Sequence, residues 1–464
     1  MKILVHRQRS DGQVQTLTKE NSVRTVLYAE EGYVLMRDEG DTKKMPYRAE
    51  EEEGIAKASQ KNRAEKNEIS EIILKEAMIQ PPLEYREMKN KRYKAKRKII
   101  DAVIALLVAM IILAVSTIVR TWQYMSYSVL VTNTKEKEET LSFEYCGVDK
   151  NILKYSLDSA SMRDRNYNTI WNISYKMQCP TIAVCKKTIA IYDKNGTDIC
   201  ICNATGKIGN ISVKMPIVKA TVGRQGVVAV IMEKGDNTWI QSYDKSGCAI
   251  LTIETTMDSL GYPMDLSLSD DSMLLGVSYL YFENGMPRSR ICFYNVGNVG
   301  QKQIDNRVCE YEYSNIIIPQ LEYLDRHTCI AFQEDGFTIF EGVKIPKEYK
   351  KITIDREIVS TFYDQSHIGL ILNNEDSETA FQLIVYNKNG REILRENMNF
   401  EYQEIELVGN QIVMYNKSTF CVCSLSGMEK FKGGFKDLPR KFFPIKQNRF
   451  VMITQDGCNL IKLR

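Results

Sequence analysis

"IAFQEDGFTIFEG" (residues 330–342) and "MITQDGCNLIKLR" (residues 452–464) read almost as one string: an apolar run, a polar step to Asp-Gly, and a second apolar run. Short runs of β-branched and aromatic residues on either side of Asp-Gly signal a β-hairpin, because Gly accepts the positive φ that a tight turn demands. Asp335-Gly336 and Asp456-Gly457 therefore occupy the same turn in two copies of one unit. Asp158 in "KYSLDSASM" and Asn195-Gly196 in "AIYDKNGTDI" fill that place in two more.

A second turn recurs later in each unit: "CICNATGKI" (200–208), "QSYDKSGCAI" (241–250), "IVYNKNGREI" (384–393), "CVCSLSGMEK" (421–430) and, more loosely, "CFYNVGNVG" (292–300). Asp or Asn opens such a turn by accepting hydrogen bonds from the backbone ahead, and Gly206, Gly247, Gly390 and Gly427 close it in the left-handed region. Taking Asp164, Asn203, Asp244, Asn295, Glu341, Asn387 and Ser424 as one slot gives steps of 39, 41, 51, 46, 46 and 37, a period of about 43 residues. Two hairpins in such a unit make four strands, which is the blade of a β-propeller, whose closure leaves only short, protected edges. "LSLSDDSMLLGVSY" (266–279) has the polar hairpin between two apolar strands expected of the inner turn of a WD40-type blade.

The expected fold is thus all-β, an eight-bladed propeller of four-stranded antiparallel blades over residues 141–464. Seven blades is the alternative count, since the 51-residue unit would hold extra loop. The last unit runs out after three strands, so its fourth is expected from the start of the domain, between Tyr127 and Cys146.

Ahead of the repeats stands "KRYKAKRKIIDAVIALLVAMIILAVSTIVRTW" (91–122). Between Ile99 and Val119 only Asp101, Ser116 and Thr117 break an apolar run long enough for the roughly 30 Å hydrocarbon core of a bilayer. A globular core helix would show a polar face, and Ala102 to Val115 shows none. This reads as one transmembrane helix, 99–119. It lies too far from the N-terminus for a cleaved signal peptide. Arg86, Lys89, Lys91, Arg92, Lys94, Lys96, Arg97 and Lys98 crowd one flank, whereas the other has only Arg120 before Lys135. Positive-inside bias then keeps the N-terminus cytoplasmic and puts the propeller outside, with Trp122, Tyr124 and Tyr127 as an aromatic belt.

The cytoplasmic tail, 1–98, divides into a small β unit (1–40), a charged helix (48–79) and the basic juxtamembrane segment (86–98); residues 120–140 are expected to form a stalk. The tail holds 22 Lys+Arg against 17 Asp+Glu, so the overall +3 is +5 there and −2 beyond it. Most of the positive charge is juxtamembrane, which favours the lipid bilayer as partner and excludes a nucleic-acid reading.

All twelve cysteines lie between Cys146 and Cys458. Cys200/Cys202 and Cys421/Cys423 are i, i+2 pairs on strand-like runs, each pair facing one side like small core residues, so free thiols are expected over a disulfide framework. With three histidines and no C-x-x-C, no zinc site and no other cofactor is expected. His327 and His367 sit at strand or turn edges, where a capping role is the simpler reading. "LLGVSYL" lacks the second Gly of a serine-hydrolase elbow, and Asp270 and Asp271 lie inside a turn that accounts for them. Trp171 follows its turn as a blade-docking residue would, and Trp239 precedes the next one.

Together, "NTIWNISYKM", "GYPMDLSLSDDSMLLGVSY" and "ICFYNVG", downstream of one span, resemble an uncharacterised family of single-span envelope proteins of Gram-positive bacteria with PQQ-like or WD40-like propeller ectodomains. The resemblance covers residues from about 95 onward and implies fold, topology and envelope location, with no catalytic residue. The expected function is a non-catalytic binding or scaffold module for an envelope protein, a peptide or a wall polymer held on the propeller face. The alternative is a transmembrane sensor whose tail acts on a cytoplasmic protein partner.

Overall fold

The computed structural model describes residues 4–8, 14–18, 83–133, 142–374 and 378–464. Leu4–Gln8 and Val14–Thr18 pair as an antiparallel hairpin, and the rest of the β unit expected over 1–40 lies outside the described residues. The charged helix expected over 48–79 lies outside the described residues. The helix Leu83–Thr121 contains the apolar stretch, and a 28-residue window from Lys91 to Ile118 is long and apolar enough to cross a membrane, with none of it buried in protein.

Among the described residues, eight four-stranded antiparallel sheets follow one another. Blades 1 to 7 occupy 144–174, 180–212, 217–255, 262–314, 320–353, 358–398 and 404–434. Blade 8 takes Lys441–Lys446, Arg449–Thr454 and Gly457–Leu463 from the end of the chain and its fourth strand, Tyr127–Asn133, from ahead of blade 1. Tyr127 stands opposite Leu463 and Asn133 opposite Cys458 in this closing pair. Within the stalk expected over 120–140, residues 127–133 are instead the closing strand: only five residues separate the helix from it, and these are themselves tied down. Tyr124 N donates to Lys430 O (2.8 Å) and Met125 N to Arg464 O (2.9 Å).

The two recurrent turns fall where the repeat placed them. Asp158, Asn195, Asp335 and Asp456 join second to third strands, and the slot from Asp164 to Ser424 joins third to fourth. At Asp244 the carboxylate accepts from the amides of Ser246 (2.8 Å) and Cys248 (2.9 Å), while Gly247 N returns to Asp244 O (3.0 Å). Asn387 and Gly390 repeat this arrangement, and every third-to-fourth pairing carries a register shift beside it. In blade 1 the glycine place is taken by Tyr167, at φ +66. The 51-residue step owes its length less to loop than to strands, since Leu274–Glu283 and Met286–Asn295 each run ten residues.

The core is a ring of eight seams. Each buried apolar cluster joins one blade to the next, from Leu153, Met162 and Ile191 between blades 1 and 2 to Phe443, Val451 and Tyr145 between blades 8 and 1. Strands buried on both faces suit this, because each sheet is covered by a neighbour on either side. Trp171 helps to lock the first seam, its indole Nε1 donating to Asn203 O of blade 2 (3.0 Å). The paired cysteines sit in the seams as apolar filler, with Sγ–Sγ separations of 3.8 Å (Cys200/Cys202) and 3.5 Å (Cys421/Cys423), and none of the twelve cysteines is joined in a disulfide.

Candidate ligand cavity on the propeller axis

The first strand of each blade lines the axis, and alternate residues on it face the channel. Around blades 3 to 6 this presents Lys219, Asp265, Glu322 and Tyr363. Asp265, only 2% exposed, sits beside a register shift in its strand and reaches toward blade 5: its Oδ2 accepts from Leu321 N (3.0 Å) while Lys219 Nζ lies 2.7 Å from Oδ1. Burial nevertheless raises the Asp265 carboxyl, outweighing the lysine and the backbone donors. Ser267 Oγ stitches the same two blades by accepting from Tyr323 N (2.9 Å). Glu322 is pushed up to about 7, first by burial and then by the Asp265 charge, against a hydrogen bond to Tyr363 and the pull of Lys219.

On the other side of the axis a cavity of about 590 Å³ opens between the first strands of blades 1, 2, 6, 7 and 8. Glu144, Cys146, Glu406 and Lys441 supply its polar wall, and Ile182, Phe362, Ile405 and Phe443 its apolar one. Lys441 is held by both oxygens of Glu404, at 2.9 and 2.7 Å. Glu406 is pushed up to about 7 by burial, with Lys441 opposing and Glu404 adding to the rise. Burial and the Glu406 charge push the Cys146 thiol up to about 11, so at neutral pH it is protonated and a poor nucleophile. A smaller cavity of about 160 Å³ lies where Glu322 and Tyr363 meet Lys186, Asp270 and Asp364; Lys186 of blade 2 pairs with Asp270 of blade 4.

The residues singled out from sequence lie elsewhere. Asp164, Asn203, Gly206, Asp244, Gly247, Asn295, Asn387, Gly390 and Gly427 stand at third-to-fourth turns and Asp335, Gly336, Asp456 and Gly457 at second-to-third turns, so the fold spreads them round the ring instead of gathering them. Lys91, Arg92, Lys94, Lys96, Arg97 and Lys98 are exposed on the helix that also carries Arg86 and Lys89. His367 Nδ1 sits 3.1 Å from Asp364 Oδ1, and His327 Nδ1 3.1 Å from Asp325 Oδ1, each pair closing its own turn. The axial groups were missed because nothing local marks a first strand. Their one signal is a charge set among apolar residues, as Lys219 in "IVKATV" or Glu406 in "EIELV".

A closed ring of eight four-stranded blades around a polar axis, preceded by one long apolar helix, defines a β-propeller protein with a candidate membrane anchor. The chain belongs to the family described as "Family of unknown function (DUF5711)", whose profile matches residues 120–463. No curated protein matches it. Among solved structures it is similar to BamB from Moraxella catarrhalis (12% identity, 74% of this chain and 99% of that one, TM-score 0.44). It is also similar to the WD40 domain of SCAP from fission yeast (10% identity, 73% and 97%, TM-score 0.46) and to Saccharomyces cerevisiae Sqt1 (9% identity, 74% and 99%, TM-score 0.42).

Proposed function

We propose that this protein is a membrane-tethered, non-catalytic binding module that holds an envelope protein, a peptide or a wall polymer at the mouth of its axis. The observation that carries the reading is the cavity of about 590 Å³ walled by five blades, within the size range of small-ligand sites. Glu144, Asp149 and Glu406 face Lys441 around it, so a partner presenting a positively charged group is favoured. The protonated thiol of Cys146 and the turn-capping histidines support a binding role over catalysis. In this reading the basic flank from Arg86 to Lys98 keeps residues 1–98 in the cytoplasm and the propeller on the other side of the membrane.

The test is cross-linked capture from membranes with the full chain and with Glu406→Lys, which places a positive charge in the cavity wall. Loss of the captured partner is expected, and an unchanged catch would refute an axial site. Deleting residues 1–85 separates the second reading, a sensor that signals through its tail: a tethered binder keeps its effect and a sensor loses it.

A further inference from the structure

The last turn of the apolar helix and the segment that follows it form one side of a second cavity, of about 310 Å³, lined by Ile118, Trp122 and Tyr124 and, from blades 7 and 8, by Gln411, Ser424 and Lys430 among others. In the sequence the apolar run closes at Val119. At 1.5 Å per residue, Trp122 stands only about 5 Å further along, within the headgroup layer outside a roughly 30 Å core. Trp122 is 60% exposed and Met125 89% exposed, as suits side chains turned to an interface.

The polar lining is set up to donate. Lys430 Nζ donates to Trp122 O (3.0 Å), which fixes the ammonium at the cavity wall, and Gln123 Nε2 donates to Glu429 O (3.0 Å), which fixes the chain beside it. Gln411 is only 8% exposed and lines this cavity. A carboxamide at that wall can donate to the oxygens of a ligand. Among the described residues the lining contains one cation, hydroxyls and carboxamides, and no carboxylate. We infer that this cavity binds the phosphate-bearing headgroup of an anionic phospholipid in the propeller-side leaflet. The inference rests on the reading of Leu83–Thr121 as a membrane anchor. It deepens that reading, because the lipid would join the anchor to blades 7 and 8.

The experiment places the full-length protein in nanodiscs containing a phosphatidylglycerol probe with a photoactivatable headgroup, with a matching phosphatidylcholine probe in parallel, and maps the labelled peptides. Labelling is expected on peptides carrying Trp122, Gln411 and Lys430, with a preference for the anionic probe of at least about fivefold, the size of one lysine's attraction at a charged membrane surface. Lys430→Gln keeps a donor for the Trp122 carbonyl but loses the charge, and should remove that preference here while labelling at the basic segment 86–98 is unchanged. Lys430→Arg should restore it. Labelling confined to 86–98, or equal labelling by both probes around Lys430, overturns the headgroup site and leaves the anchor intact. A protein that does not enter the bilayer and is labelled nowhere overturns the anchor, and the site with it.

Discussion

Phe442 tests whether the ring behaves as one cooperative body. It is fully buried on the first strand of blade 8, with ring centroids 4.9 Å from Phe420, 5.1 Å from Phe435, 5.2 Å from Phe450 and 5.3 Å from Tyr415. Phe-to-Ala changes in cores cost about 3–5 kcal/mol, and a site walled by four rigid rings collapses poorly, so Phe442→Ala should cost about 4–5 kcal/mol. At roughly 2 °C per kcal/mol for a domain of this size, the melting temperature should fall by about 8–10 °C. The informative readout is remote. Amide hydrogen exchange at Val277 and Cys292, paired in blade 4 on the far side of the ring, should lose protection by the same free energy, because opening one seam opens the circle. In an open stack of repeats the loss would stay beside the mutation. A split melting transition, or unchanged exchange in blade 4 with fast exchange in blade 8, would refute the reasoning.

Four further outcomes follow from particular residues. Glu322 binds its proton more tightly folded (about 7) than at its ordinary 4.5, so stability is greatest below pH 4.5 and is lost as pH rises toward 7; Glu322→Gln should gain up to about 3 kcal/mol at pH 8 and nothing at pH 4, read from denaturant midpoints. Gly247→Ala (φ +88, nothing within 4 Å) should cost about 1 kcal/mol, but Gly390→Ala (φ +69) about 2–3, since its Cβ would lie 2.9 Å from Ile352 Cδ1; equal melting shifts would contradict this. Under native conditions a thiol probe should label the exposed Cys179 and Cys248 first and most of the others only after denaturation, and four or more disulfides by mass would rule out the core-thiol picture. Protease added to wall-stripped cells should digest beyond about residue 125 and spare the tail, and replacing the eight basic residues from Arg86 to Lys98 should weaken that orientation; a protected propeller would reverse the topology.

The blade count could be read from the chain because the chemistry of its turns is local: Asp244 or Asn387 binds amides within four residues of itself, so its spacing survives any rearrangement of the ring. Tyr167 shows the limit of that reading. It holds a positive φ without being Gly, with Arg163 over its ring at 4.5 Å and its own burial against blade 8, and the second of these is supplied only by the closed ring. The axial groups were illegible for the same reason at larger scale. Lys219, Asp265 and Glu322 come from three blades and meet only because the ring closes, whereas the cysteine pairs were readable from the two-residue period of a strand. The closing strand could be placed only within 127–146, since an isolated run such as "YSVLVTN" carries no mark of its distant partner.

That strand has a consequence for how the protein is made. Tyr127–Asn133 leaves the ribosome some 330 residues before Gly457–Leu463, an interval of roughly 20 s to a minute at ordinary elongation rates of about 5–20 residues per second. For all that time the edge that Tyr127–Asn133 offers to blade 8 waits unpaired. The ring cannot close until Gly457–Leu463 has been made, so a chain halted before that strand keeps an open edge on view and is marked by it as unfinished.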